Sequence, residues 1–152
     1  MNASPDTCSL DELHAMRSLA PLPGDPRPGT RDLAATALGA LGVELLECAP
    51  QRVVARMPLR GPRDAGALLV LAETVASTAA GLAAGPGRRA FGAELDASFL
   101  ERPVAGLVLA IAEPLVVDQA RHTWRIRVVD PRGTLVLEGR CTLGVVESPT
   151  GD

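Results

Sequence analysis

The spacing of apolar positions changes along this chain. Over Arg31 to Gly42 they recur at helical intervals and predict a short amphipathic helix. The run "VELLECAPQRVVARMPL" then predicts two strands parted by Ala49-Pro50-Gln51, a hairpin. Next comes "GPRDAGALLVLAETVASTAAGLAA", Gly61 to Ala84, apolar on nearly every side. Asp64 is placed to cap this helix, with Ala65, Gly66 and Ala67 as its first turn, and "GPGRR" at 85–89 ends it after about five turns. Four more strands are predicted around 90–99, 105–117, 121–129 and 134–146, and "DPRG" at 130–133 is a strong turn between the last two. In "HTWRIRVVD", Thr123, Arg125 and Arg127 alternate with Trp124, Ile126 and Val128. One face of that sheet is therefore packed, with Trp124 in the core, and the other is wet or ion-paired.

Two consequences follow for organisation. Residues 1–30 combine a helix-like start at Ser9 with the breaker-rich "PLPGDPRPGT", so they read as a flexible or helical leader ahead of one domain at 31–148. A helix that is apolar nearly all round must also be covered on most of its circumference. Either a sheet curls around it or a second copy of the chain completes the cover.

Composition narrows the function. At 152 residues the chain suits one domain with a real core. Its net charge of −3, without any basic run, disfavours nucleic acid and anionic membranes as partners. Lysine is absent, which removes Schiff-base chemistry. The three cysteines, Cys8, Cys48 and Cys141, form neither a disulfide framework nor a metal motif, and the N-terminus lacks a secretory pattern, so a cytoplasmic location is expected. His14 and His122 stand too far apart for a metal site and read as surface residues. Serine-nucleophile and phosphate-loop motifs are missing as well.

One feature stands against the apolar background: a single carboxylate, Glu73, in the middle of the long helix. On a helical wheel Gly66, Val70, Glu73, Thr74, Ser77 and Gly81 fall on one side, a stripe of small and polar residues with room for a ligand or a neighbouring backbone. A structural reading of Glu73 has it facing solvent or a buried arginine. The corresponding reading of Asp64 is the helix cap.

The stretch "GPRDAGALLVLAETVAS" resembles the G-x-x-H-G-G-A…L-A-E pattern of the hotdog-fold acyl-CoA thioesterases, the phenylacetate-pathway and 4-hydroxybenzoyl-CoA thioesterase branch, with Gly61, Gly66, Ala67, Leu71, Ala72 and Glu73 in the matching places. "LGVELLECAPQRVVARMPL", "GAELDASFLERPVAG" with Arg102-Pro103, and "TLVLEGRCTLGVVE" are similar to its other strands. The chain departs from the pattern at three positions: the family's His is Asp64, the first glycine of the pair is Ala65, and the Asn or Gln six residues before the His is Pro58.

The resemblance implies an α+β hotdog fold, a curled six-stranded antiparallel sheet around one long helix, in a homodimer or homotetramer. It also implies an acyl-CoA or aryl-CoA thioester hydrolase without any cofactor beyond the coenzyme A of its substrate. Glu73 becomes the general base or nucleophile, the N–H of Ala65 or Gly66 the oxyanion donor, and Ser77 an orienter of carboxylate or water. Asp64, Gly61 and Ser98 fall where the family touches substrate, and Arg88, Arg89, Arg102 and Arg121 are candidate ligands of the coenzyme A phosphates. Asp64 and Glu73 are nine positions apart, about 14 Å along a helix, which requires a site shared between subunits. Two other readings stand beside this one: a hotdog protein that binds acyl-CoA or assembles without cutting, and a hydratase, whose usual Asp and His pair is missing here.

Overall fold

A computed structural model of the chain describes residues 37–149. The helix expected over Arg31 to Gly42 is seen there as α1, Ala37–Leu41, which Gly42 ends in the left-handed region at φ 69°. Residues 1–36, which include Cys8, Ser9 and His14 of the leader and the first part of the expected helix, lie outside the described part. The hairpin follows as β1, Glu44–Ala49, and β2, Arg52–Leu59, tied across the strands by an ion pair between Glu44 and Arg56.

The long helix, α2, spans Ala67–Ala84. Leu68, Leu71, Ala72, Val75, Ala76, Ala79 and Ala80 are its buried apolar residues, at the i, i+3, i+4 spacing of one core-facing side. It ends at Gly85, φ 78°. By length and composition α2 could cross a membrane, but it packs against all six strands as a core helix.

After α2 come β3, Arg88–Phe99, β4, Gly106–Val117, β5, Arg121–Val129, and β6, Leu135–Glu147. All six strands form one antiparallel sheet in the order β1-β2-β4-β5-β6-β3. Among the described residues β3, the strand that follows the helix, thus lies at one edge, paired only with β6. Val53, Ala55, Met57, Val108, Ala110, Ala112, Trp124, Ile126 and Val128 face the helix and make the main core. Their alternates Val54, Leu109, Ile111 and Val129 form a smaller cluster with Leu46 on the opposite face. There the charged alternates also pair: Arg125 with Glu138 at 2.5 Å and Arg127 with Glu113 at 2.7 Å.

Two expectations need correction. Asp64 does not cap α2. A short 3-10 turn, Pro62–Asp64, precedes the helix, whose N-cap is Gly66, and no side chain caps either element. Pro62 is pre-set for such a turn, and Ala65 N–H donates to Pro62 O at 3.3 Å, so local backbone closure displaces the cap. His122 is not a surface residue either: it is 1% exposed, because it shares the inward parity of Trp124 and Ile126 on β5. Its Nε2 lies 3.1 Å from Asp118 O, and its ring stands edge-on to Trp124 with centroids 6.4 Å apart.

Candidate active site

Glu73 comes two turns into α2, on the side where the helix meets β3. It is half-buried, and Ser77 Oγ, one turn further on, donates a hydrogen bond to its Oε1. Among the described residues Glu73 forms no ion pair, so the paired structural role considered from sequence has no counterpart. Oε2 accepts no hydrogen bond from any described residue. Thr74 turns inward and donates to Val70 O at 2.7 Å, a local bond that takes it out of the polar stripe.

Two residues beside Glu73 escaped the reading of the sequence. Gly92 of β3 faces it so closely that a Cβ added there would lie 3.3 Å from Glu73 Oε1. Cys141 of β6 is buried near enough that the Glu73 charge adds to burial in pushing its thiol up to about 11. Such a thiol stays protonated at neutral pH and is no nucleophile.

The N-terminal end of α2 opens into a cavity of about 480 Å³ lined by Gly42, Pro58, Leu59, Arg60, Arg63, Asp64, Gly66 and Ala67, with the end of α1. Gly66 N–H has no acceptor among the described residues, while Ala65 N–H is held by Pro62 O. Geometry therefore separates the two candidate donors, and Gly66 is the free one. From Gly66 to Glu73 is about 10 Å along the helix, too far for one carbonyl group to meet both within a single chain. Asp64 lines the cavity, and Gly61, at φ 154°, makes the turn into it.

The other candidate ligands are dispersed. Ser98 lies on the far face of the sheet from Glu73, in a groove of about 350 Å³ with Asp96, Arg125, Glu138 and Arg140. Arg88 donates to Gln119 O and, with Arg89 and Arg121, occupies one end of the sheet. Arg102 sits past the other end of β3, roughly 40 Å away along twelve strand residues, so these arginines cannot share one phosphate within a chain. Among the described residues no group of His, Cys, Asp and Glu could hold a metal ion.

A curled six-stranded antiparallel sheet around one long helix, with a lone carboxylate on that helix beside the edge strand, defines a hotdog-fold protein of the thioesterase kind. The Thioesterase superfamily model matches residues 65–137, from the helix N-terminus into β6. ComA2 of Bacillus subtilis, whose name places it among the esterases, is 35% identical over 124 residues, 76% of this chain and 98% of that protein. The 1,4-dihydroxy-2-naphthoyl-CoA hydrolase of Listeria monocytogenes is 30% identical over 112 residues, 69% of this chain and 91% of that one. The crystal structure of thioesterase HI1161 from Haemophilus influenzae superposes with a TM-score of 0.71 at 25% identity, over 78% of this chain and 90% of that one. The chain belongs to the thioesterase superfamily and is a thioester hydrolase.

Proposed function

We propose that the protein hydrolyses acyl-CoA thioesters, aryl-CoA thioesters among them, at a site shared by two copies of the chain. The observation that carries this reading is Glu73: a half-buried carboxylate in an apolar helix, with a hydroxyl partner on Oε1 and, among the described residues, no cation and no partner on Oε2. As general base, Oε2 takes a proton from water while the water oxygen adds to the thioester carbonyl carbon. The oxyanion so formed is held by Gly66 N–H at the helix N-terminus of the second copy. Collapse breaks the C–S bond, the coenzyme A thiolate takes the proton back from Glu73, and the free acid leaves. In the nucleophilic variant the same oxygen adds to the carbonyl carbon, the C–S bond breaks to expel the coenzyme A thiolate, and water then hydrolyses the resulting anhydride to the free acid and Glu73, its second proton going to the thiolate. Ser77 orients the carboxylate in either case. Water is the only other reactant, so no cofactor enters, and Cys48 and Cys141, which form no disulfide among the described residues, fit a reduced cytoplasm.

The edge position of β3 supports the shared site. It is twelve residues long, with one side unpaired among the described residues, and Glu73 lies against it. A two-fold partner pairing there would continue the sheet and bring its own helix N-terminus towards Glu73. The phosphates of coenzyme A fit the end of the sheet with Arg88, Arg89 and Arg121, since Arg89 is three residues, roughly 10 Å, along β3 from Gly92. Arg89 and Arg121 are the exposed cations there, while Arg88 holds the turn. Arg89→Ala is expected to raise KM for coenzyme A thioesters roughly tenfold while leaving KM for the pantetheine thioester of the same acid unchanged. Equal effects on both substrates would move the phosphates elsewhere.

The reading is tested by following thiol release from a panel of acyl-CoA and aryl-CoA thioesters, naphthoyl types included, with Glu73→Ala run beside the parent. Turnover in the parent that is lost in the variant is the expected result. Tight binding of a non-hydrolysable acyl-CoA analogue without turnover across the panel would instead mean a hotdog protein that binds without cutting.

A further inference from the structure

Glu73 meets β3 at a position without a side chain. The inward-facing residues of this strand that pack on the core are Ala90, Leu95 and Ala97, but opposite the carboxylate stands Gly92. A Cβ built at Gly92 would find Glu73 Oε1 at 3.3 Å, and no other heavy atom within 4 Å beyond its chain neighbours. The register of β3 against β6 also shifts between Gly92 and Glu94, so that Ala93 is an extra, bulged residue at this point. The backbone at Gly92 is not in the left-handed region, so chain conformation does not demand glycine here.

We propose that Gly92 is a positioning residue for Glu73: its bare Cα, beside the bulge, lets Oε1 settle between β3 and Ser77 Oγ, so that Oε2 is the oxygen turned to the thioester. This rests on the proposed hydrolysis, but the positioning itself can be read without turnover. A methyl group 3.3 Å from Oε1 is closer than ordinary carbon–oxygen contact, and the same oxygen is already held by Ser77. The carboxylate must therefore tilt away, and small displacements of a catalytic group cost far more rate than binding.

Gly92→Ala is expected to lower kcat about tenfold with KM within about twofold of the parent. It is also expected to move the 13C resonance of the Glu73 carboxylate. Gly144→Ala is the control. It lies on β6 opposite Phe91 and faces the other side of the sheet, where a methyl group would collide with the Phe91 ring. That variant should lose stability while keeping both kcat and the Glu73 resonance. Parent-like kcat and resonance in Gly92→Ala would overturn the proposal, as would equal kinetic losses in the two variants. A shifted resonance in a protein whose Glu73→Ala variant still hydrolyses thioesters would retain the positioning and reject the catalytic reading.

Discussion

Glu73→Gln is expected to lower kcat for thioester hydrolysis by about 10²–10⁴-fold, the usual contribution of a positioned base, with little change in KM and an unchanged melting temperature. The reasoning rests on what Glu73 touches. It neutralises no described cation, and glutamine keeps both its volume and an oxygen able to accept the Ser77 hydroxyl. The loss would therefore report chemistry rather than packing. A second variant turns this into a test of the shared site. Gly66 has an ordinary helical φ of −58°, and a Cβ there meets nothing within 4 Å, so Gly66→Leu folds and fills the cavity beside the donor N–H. Either variant alone is expected to be inactive. Co-expressed in equal amounts, they form mixed dimers with one site built from two intact halves, and about one quarter of parental activity returns. Mixed dimers with no recovered turnover would place donor and base on the same chain.

The largest expected effect on stability lies far from this site. Asp130 is 0% exposed, and its carboxylate accepts Arg132 Nη2 at 2.7 Å, Arg132 Nε at 2.9 Å, and the backbone N–H groups of Arg132, Thr134 and Val104 at 2.8, 3.2 and 3.3 Å. One side chain thus closes the β5–β6 turn and ties it to the β3–β4 connection. Asp130→Ala leaves these donors without their acceptor and is expected to cost about 3 kcal/mol, read as a lower urea midpoint. Burial by itself would raise the pKa of this carboxyl, but the Arg132 side chain and the three N–H groups outweigh it and hold the pKa below the ordinary value. The sign follows from linkage. A depressed folded-state pKa gives stability that is fully present above the unfolded value, near 3.9, and is lost as pH falls through the folded one. The parent should therefore lose stability on acidification through that range, and Asp130→Asn should lose less. Parallel pH curves for the two proteins would show that Asp130 does not carry this dependence.

The strand and helix order was legible from Leu41 to Glu147 because its signals are local. Alternation marks β5, where Trp124 and Ile126 go inward and Arg125 and Arg127 outward, and the ends of α2 are set by Pro62 and Gly85. Glu73 stood out for the same reason, since one carboxylate in an apolar helix is visible without coordinates. Asp64 was misread because two local preferences compete at that place, a cap and a proline-led turn, and the turn won. His122 was misread because its place near the strand start outweighed its parity. A glycine inside a strand pattern does signal a bulge or a close approach, so Gly92 carried a trace of its role. What it approaches could not be read from its neighbours in the chain.

The sequence by itself determined the elements, the single carboxylate and the thioesterase resemblance, because each depends on residues within a few turns or strand steps of one another. Only the tertiary structure decided that β3 is an edge, that Glu73 rests on Gly92 rather than on an arginine, that Gly66 rather than Ala65 has the free N–H, and that Ser98 faces away. These depend on strand order and on which hydrogen bonds close first. Strand order is a global property of the sheet, set by how six strands share one helix.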